Sequence, residues 1–134
     1  MQQINQSNFA DPFPRKKTKQ IMVGSVPVGG GAPIAVQTMT KTKTADIDGT
    51  VAQIKRCEEA QVHIVRVTVN DKKAAEAIGE IVNQVDVPIV ADIHFNHVFA
   101  LKAMDAGVAK VRINPGNIGT KDRIKEVLTK PKEM

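Results

Sequence analysis

The segment Glu59-Ala60-Gln61-Val62-His63-Ile64-Val65-Arg66-Val67 has a counterpart in Asp105-Ala106-Gly107-Val108-Ala109-Lys110-Val111-Arg112-Ile113, 46 positions further on. Each copy reads as a helix end, a two-residue turn and an apolar strand carrying one arginine. A chain that repeats a helix-to-strand junction is built of equivalent units, as in a barrel or a solenoid. The strands are nearly continuous in apolar, largely β-branched residues instead of alternating, which is the pattern of a parallel sheet covered on both faces.

The rest of the chain fits this unit. Ile34–Met39, Val62–Val69, Val87–Ile93 and Ala109–Asn114 are the strand candidates. Between them Asp46–Ala60 presents Ile47, Val51, Ile54, Cys57 and Ala60 on one helical face, and Lys72–Gln84 presents Ala74, Ile78, Ile81, Val82 and Val85. Asn96 caps a third helix, expected to bury Val98, Leu101 and Met104 and to end at Gly107. Thr120–Thr129 starts a fourth. Ahead of these units, Ile21-Met22-Val23 and Val26-Pro27-Val28 flank Gly24-Ser25, a short β-hairpin pattern, and Gly29-Gly30-Gly31 reads as a turn. Met1–Lys19, rich in Gln, Asn, Pro and Lys, is expected to be a flexible arm. The fold class is therefore α/β: parallel (β/α) units forming about half of a TIM barrel, in preference to a doubly wound sheet, over residues 20–134.

Composition narrows the function. With 42% hydrophobic but only 3% aromatic residues among 134, and no Trp or Tyr, the core is aliphatic and there is no aromatic platform for nucleic-acid bases. The excess of 19 basic over 14 acidic residues suits an anionic ligand, and no recognition motif points to nucleic acid. One cysteine, Cys57, excludes an internal disulfide and a metal site made of several thiolates from these residues; it reads as a small core residue. The first residues lack the apolar region of a secretory signal, and no apolar run is long enough to cross a bilayer, so no membrane role and a cytoplasmic location are expected.

In a (β/α) barrel the working face lies at the carboxyl ends of the strands. Arg66 and Arg112 sit within apolar strands, where a guanidinium must meet a carboxylate or an anionic ligand. Asp92 is the internal partner available, so a structural ion pair and a bidentate diphosphate clamp are both open. Asp92 and His94 end the third strand on one side, a pair suited to acid–base work, to holding hydroxyls or simply to shaping the loop. Asn114 and the turn Pro115-Gly116-Asn117-Ile118-Gly119-Thr120 lead from the fourth strand into a helix. The amides of Gly116, Asn117, Gly119 and Thr120 could face an anion, or the segment is an ordinary turn with Thr120 as cap. Gln37-Thr38-Met39-Thr40 gives a weak polar signal, and His63 and His97 are expected to be structural.

Ala32–Thr40, Ile64-Val65-Arg66-Val67, Val90-Ala91-Asp92-Ile93-His94-Phe95 and Val111-Arg112-Ile113-Asn114-Pro115-Gly116-Asn117-Ile118-Gly119 together resemble the 4-hydroxy-3-methylbut-2-enyl diphosphate synthase family, across about Lys16 to Val127. The resemblance implies a (β/α)8 barrel binding 2-C-methyl-D-erythritol 2,4-cyclodiphosphate. It also implies a C-terminal domain with a [4Fe-4S] cluster on three cysteines and a glutamate, a homodimer, and flavodoxin or ferredoxin as electron donor in the methylerythritol phosphate route to isoprenoids. By it Arg66 and Arg112 hold the diphosphate, with Asp92, His94, Asn114 and Asn117 lining the mouth. This chain departs from the family in ending after four units, without the cluster domain or its ligands, and in carrying Gln61 where the family usually has Gly at a left-handed helix cap. An oxidoreductase fragment, inactive alone, is the expectation. The alternatives are a non-catalytic half-barrel that self-associates through open strand edges, and another phosphate-ligand TIM barrel of the pterin-binding kind.

Overall fold

A computed structural model describes residues 13–133. It contains β1 (Ile21–Val23), β2 (Val26–Val28), β3 (Gln37–Met39), α1 (Ile47–Glu59), β4 (Ile64–Val69), α2 (Lys72–Gln84), β5 (Ile89–Ile93), α3 (His97–Asp105), β6 (Lys110–Ile113) and α4 (Lys121–Glu133). Strands β3, β4, β5 and β6 form a parallel sheet in that order, and β1 and β2 form a separate antiparallel hairpin.

The order of strands and the side the helices take separate a barrel from a doubly wound sheet. Val65, Val67, Val69, Ile89, Ala91 and Ile93 share one face of the sheet and pack with Val51 and Ile54 of α1, Ala74, Ile78 and Ile81 of α2, Ala100 and Ala103 of α3, and Val127 of α4. All four helices therefore cover the same face, and the strand order never reverses, so there is no switch point of the doubly wound kind. The opposite face is the inside of the barrel wall. Near its amino-terminal end the hairpin supplies Val23, Val26 and Val28 to a small cluster with Ile64, Val90, Ala35 and Ala109, which closes the bottom. The inner wall is left open towards the carboxyl ends of the strands.

Local chemistry explains the element ends. Asp46, Asp71 and Asn96 each accept a hydrogen bond from an amide of the first helical turn. Helices α1 and α3 both end in a Schellman arrangement. Val62 N–H reaches Cys57 O and Gln61 N–H reaches Glu58 O, just as Val108 N–H reaches Ala103 O and Gly107 N–H reaches Met104 O. The left-handed residue is Gly107 (φ 92) in one and Gln61 (φ 62) in the other, so the repeat keeps its geometry where it has lost its glycine. Gly24 (φ 57) leads the hairpin turn.

Some expectations shift. Strand β3 is three residues long; Ile34 and Val36 lie before it and are exposed. Helix α3 buries Ala100, Ala103 and Met104, while Val98 is exposed and Leu101 half-buried. The run His97–Asp105 is apolar on several sides, and the small alanines take the face that approaches the sheet. Ala60, expected on the buried face of α1, is its exposed C-cap. Of the expected arm, residues 1–12 lie outside the described residues. Within residues 13–19, Arg15 donates to Ala32 O and Thr18 Oγ1 accepts from Gly30 N–H.

Candidate functional site

The alternation of each strand, combined with the register, lists what faces the interior. Met39 pairs with Arg66, Arg66 with Val90, and Val90 with Lys110; two residues higher, Thr68 pairs with Asp92 and Asp92 with Arg112. Residues two apart on a strand share a face, so Met39, Arg66, Thr68, Asp92, Lys110 and Arg112 belong to one inner surface, opposite the aliphatic core. A surface this polar on a barrel wall is a ligand surface or an ion-pair network, and its charges show how it is balanced.

Asp92 is the hub. Only 3% of the residue is exposed. Arg112 Nη1 donates to Oδ1 at 2.7 Å. On the other oxygen, Oδ2, Arg66 Nε lies 3.7 Å away and His94 Nε2 3.5 Å away. The contact with Arg112 is a short charge-assisted hydrogen bond, whereas that with Arg66 lacks hydrogen-bond geometry, leaving Arg66 Nε buried and without a hydrogen-bond partner among the described residues. Arg66 donates instead through Nη2 to Met39 Sδ at 3.4 Å. Two guanidinium groups thus share one carboxylate, and Lys110 adds a third cation to the same face. The arginine side chains are 31% and 45% exposed, so their remaining donors reach solvent at the mouth.

The two arginines hold matching places in the repeat but different heights in the sheet. Arg112 is level with Asp92 and Arg66 with Val90, two residues lower, about 6–7 Å along the strand. The side chain of Arg66 covers that gap and brings its guanidinium to the carboxylate level.

The turn after β6 is spent mostly on itself. Asn114 Oδ1 accepts from Gly116 N–H, and Asn114 O accepts from the amides of Asn117 and Ile118. The amides of Gly116 and Asn117, offered by the sequence for an anion, are therefore committed within the turn. Asn117 Oδ1 is buried and has no partner among the described residues, and Ile118 anchors the turn in the core.

His63 lies at the opposite end of the barrel, where its Nδ1 accepts from Val36 N–H. His97 Nε2 meets Glu126 Oε2 at 3.0 Å and ties α3 to α4. Cys57 is half-buried against the core. Gly29, Gly30 and Gly31 make a turn, with Ala32 N–H on Gly29 O.

Met39 fell within the weakly polar segment Gln37–Thr40, without a role of its own, and Lys110 and Phe95 were not singled out by the residue patterns. A methionine within an apolar strand carries no signal of its own until the register is known, whereas Lys110, two residues before Arg112 on one strand, shares its face by alternation alone. Phe95 follows β5 with φ 66, and Asn96 N–H closes on His94 O across it, a tight turn that is strained for a non-glycine residue. The ring is exposed beside His94, with centroids 6.0 Å apart. A further cavity, of about 370 Å³, lies over the ends of β3 and β4, lined by Thr40, Lys41, Lys43, Thr68, Asn70 and Asp71 among others. Among the described residues no cluster of three His, Cys, Asp or Glu could hold a metal ion, and no helix is long and apolar enough to cross a membrane.

Residues 18–134 match the family model of the GcpE TIM-barrel domain. Three similar curated proteins carry the name 4-hydroxy-3-methylbut-2-en-1-yl diphosphate synthase (flavodoxin). That of Pseudomonas paraeruginosa is 56% identical over 124 residues, covering 92% of this chain and 33% of its own length. That of Alcanivorax borkumensis is 59% identical over 114 residues, covering 85% and 31%. That of Marinobacter nauticus is 57% identical over 118 residues, covering 88% and 32%. The chain spans about a third of the length of the curated relatives it matches.

Proposed function

Because the chain belongs to the GcpE TIM-barrel family, we propose that it takes part in the reaction for which its relatives are named, the formation of 4-hydroxy-3-methylbut-2-en-1-yl diphosphate with flavodoxin as electron donor. Its part in that reaction is to bind the diphosphate of 2-C-methyl-D-erythritol 2,4-cyclodiphosphate at the barrel mouth, in the methylerythritol phosphate route to isoprenoids. The observation that carries this reading is the sharing of the Asp92 carboxylate by Arg66 and Arg112. One acid cannot balance two guanidinium groups, and a phosphoryl oxygen pair matches their fork geometry.

Asp92 and His94 are the proposed acid–base pair. With His94 Nε2 3.5 Å from Asp92 Oδ2, the two can hold a substrate hydroxyl or move a proton at that nitrogen. Asn114 supports the site through its turn, and Asn117 in the same turn has a buried Oδ1 without a partner among the described residues. The residues of this chain do not fit a [4Fe-4S] cluster: Cys57 is the one cysteine and packs on α1 against the core. A cytoplasmic setting belongs to the same reading, in line with the flavodoxin named for the relatives.

Self-association is also proposed. In the sheet of the described residues β3 and β6 stand at the edges, and Ile34 and Val36 next to β3 and Leu128 on α4 are exposed. Light scattering across a dilution series tests it; a monomer at every concentration contradicts it.

The substrate reading is tested by calorimetric titration of the cyclodiphosphate into the parent chain and into Arg66→Ala/Arg112→Ala. Binding by the parent that the double variant loses supports it, and equal binding refutes it.

A further inference from the structure

The guanidinium of Arg66 has a soft tether. Met39 ends β3 in register with Arg66, so the two side chains share the inner wall. The bond from Arg66 Nη2 to Met39 Sδ is the hydrogen bond its guanidinium makes among the described residues, and its Nε has only the field of Asp92. A thioether sulfur is a weak acceptor. It orients the fork but yields when a phosphoryl oxygen competes. Met39 is half-buried on an open wall, within reach of a small oxidant.

We propose that Met39 is an oxidisable positioning residue for Arg66: as the thioether it presents the guanidinium to an anion, and as the sulfoxide it withholds it. This rests on the reading of Arg66 as an anion-binding group given above. In the modification a lone pair on Sδ attacks one oxygen of hydrogen peroxide. The O–O bond breaks, an S–O bond forms, and the departing hydroxide takes the remaining proton and leaves as water. Sulfur is oxidised by two electrons and the peroxide is reduced. The new oxygen is a polar acceptor placed beside a charged donor already in contact, and charge-assisted hydrogen bonds are the strong ones. Arg66 then has an internal partner to give up before it binds a ligand.

The test uses the full chain, hydrogen peroxide, and peptide mass mapping to follow each methionine, with exposed Met22 as the internal reference. Two readouts follow: the affinity for inorganic diphosphate by calorimetry, and the Arg66 Nε–Hε NMR cross-peak, assigned through Arg66→Lys. Oxidation of Met39 is expected to move the cross-peak with no ligand present and to lower diphosphate affinity about tenfold, the effect of one added charge-assisted hydrogen bond. Methionine sulfoxide reductase restores both. Met39→Leu, which has no acceptor to oxidise, loses the sensitivity to peroxide, whereas Met39→Gln, with a permanent amide oxygen, binds weakly without oxidant. The proposal is overturned if Met39 stays reduced where Met22 is converted, if the cross-peak does not move, or if Met39→Leu responds to peroxide as the parent does. Equal diphosphate binding by the parent and Arg66→Ala sinks the anion reading of Arg66 instead, and the ligand-free cross-peak distinguishes the two failures.

Discussion

Arg112 Nη1 lies 2.7 Å from one oxygen of Asp92, and Arg66 Nε lies 3.7 Å from the other. The carboxylate accepts a short hydrogen bond from the arginine level with it and offers only its field to the one that reaches up from a lower level. Two arginines with the same place in a sequence repeat are thus held differently, one anchored and one tethered to a sulfur.

That asymmetry sets their contributions to stability. Arg112→Ala removes a charge-assisted bond to a buried acid and is expected to cost about 1–3 kcal/mol. Arg66→Ala, which removes an ion pair of looser geometry, is expected to cost less than about 1 kcal/mol. Urea unfolding of both variants measures the difference, and equal losses contradict the assignment.

Asp92→Asn takes away the charge that holds the cations together. We expect a loss of about 1–3 kcal/mol in low-salt buffer, because two neighbouring guanidinium groups are left without a counter-ion. Sulfate binding between them stabilises the folded state by mass action. The melting temperature of the variant should therefore rise more steeply with sulfate than that of the parent. Parallel sulfate responses would mean that the arginines do not form an anion site.

Gln61 occupies a left-handed cap where its repeat partner is Gly107. Gln61→Gly should stabilise the chain by up to about 1 kcal/mol, since the relief of the left-handed conformation exceeds the entropy that glycine adds to the unfolded chain. Gly107→Ala should destabilise it by a similar amount. Denaturant midpoints at constant slope read both changes, and a destabilised Gln61→Gly would show that the Gln61 side chain holds the cap by other means.

The sequence revealed most of the scaffold, because helix caps, β-branched strands and the 46-residue echo are local signals. The cap at Gln61 is an instance: the family resemblance pointed to a left-handed residue there, and the structure gives it the same conformation as Gly107 in the second copy. The buried face of α3 was harder: Val98, Phe99, Leu101 and Met104 surround the helix with apolar side chains, and the alanines that pack against the sheet are the weakest hydrophobic signal among them. At the site, Asp92, His94, Arg66 and Arg112 were legible as polar residues in apolar strands. What no local pattern contains is the register between strands. Register decides that Arg66 sits two residues below Arg112, and that a methionine otherwise typical of a core supplies an acceptor to the inner arginine. The turn at Asn114 was open between anion nest and ordinary loop; its amides at Gly116 and Asn117 proved to be engaged by Asn114.

The most direct measurement is the phosphorus NMR spectrum of 2-C-methyl-D-erythritol 2,4-cyclodiphosphate titrated with the chain, alongside Arg66→Lys, which keeps the charge but loses the planar fork. The parent should shift or broaden both phosphorus resonances saturably, and the lysine variant should need a markedly higher concentration to do so. Resonances that stay at their free positions with the parent, or move identically with both proteins, would contradict a diphosphate site built on these arginines.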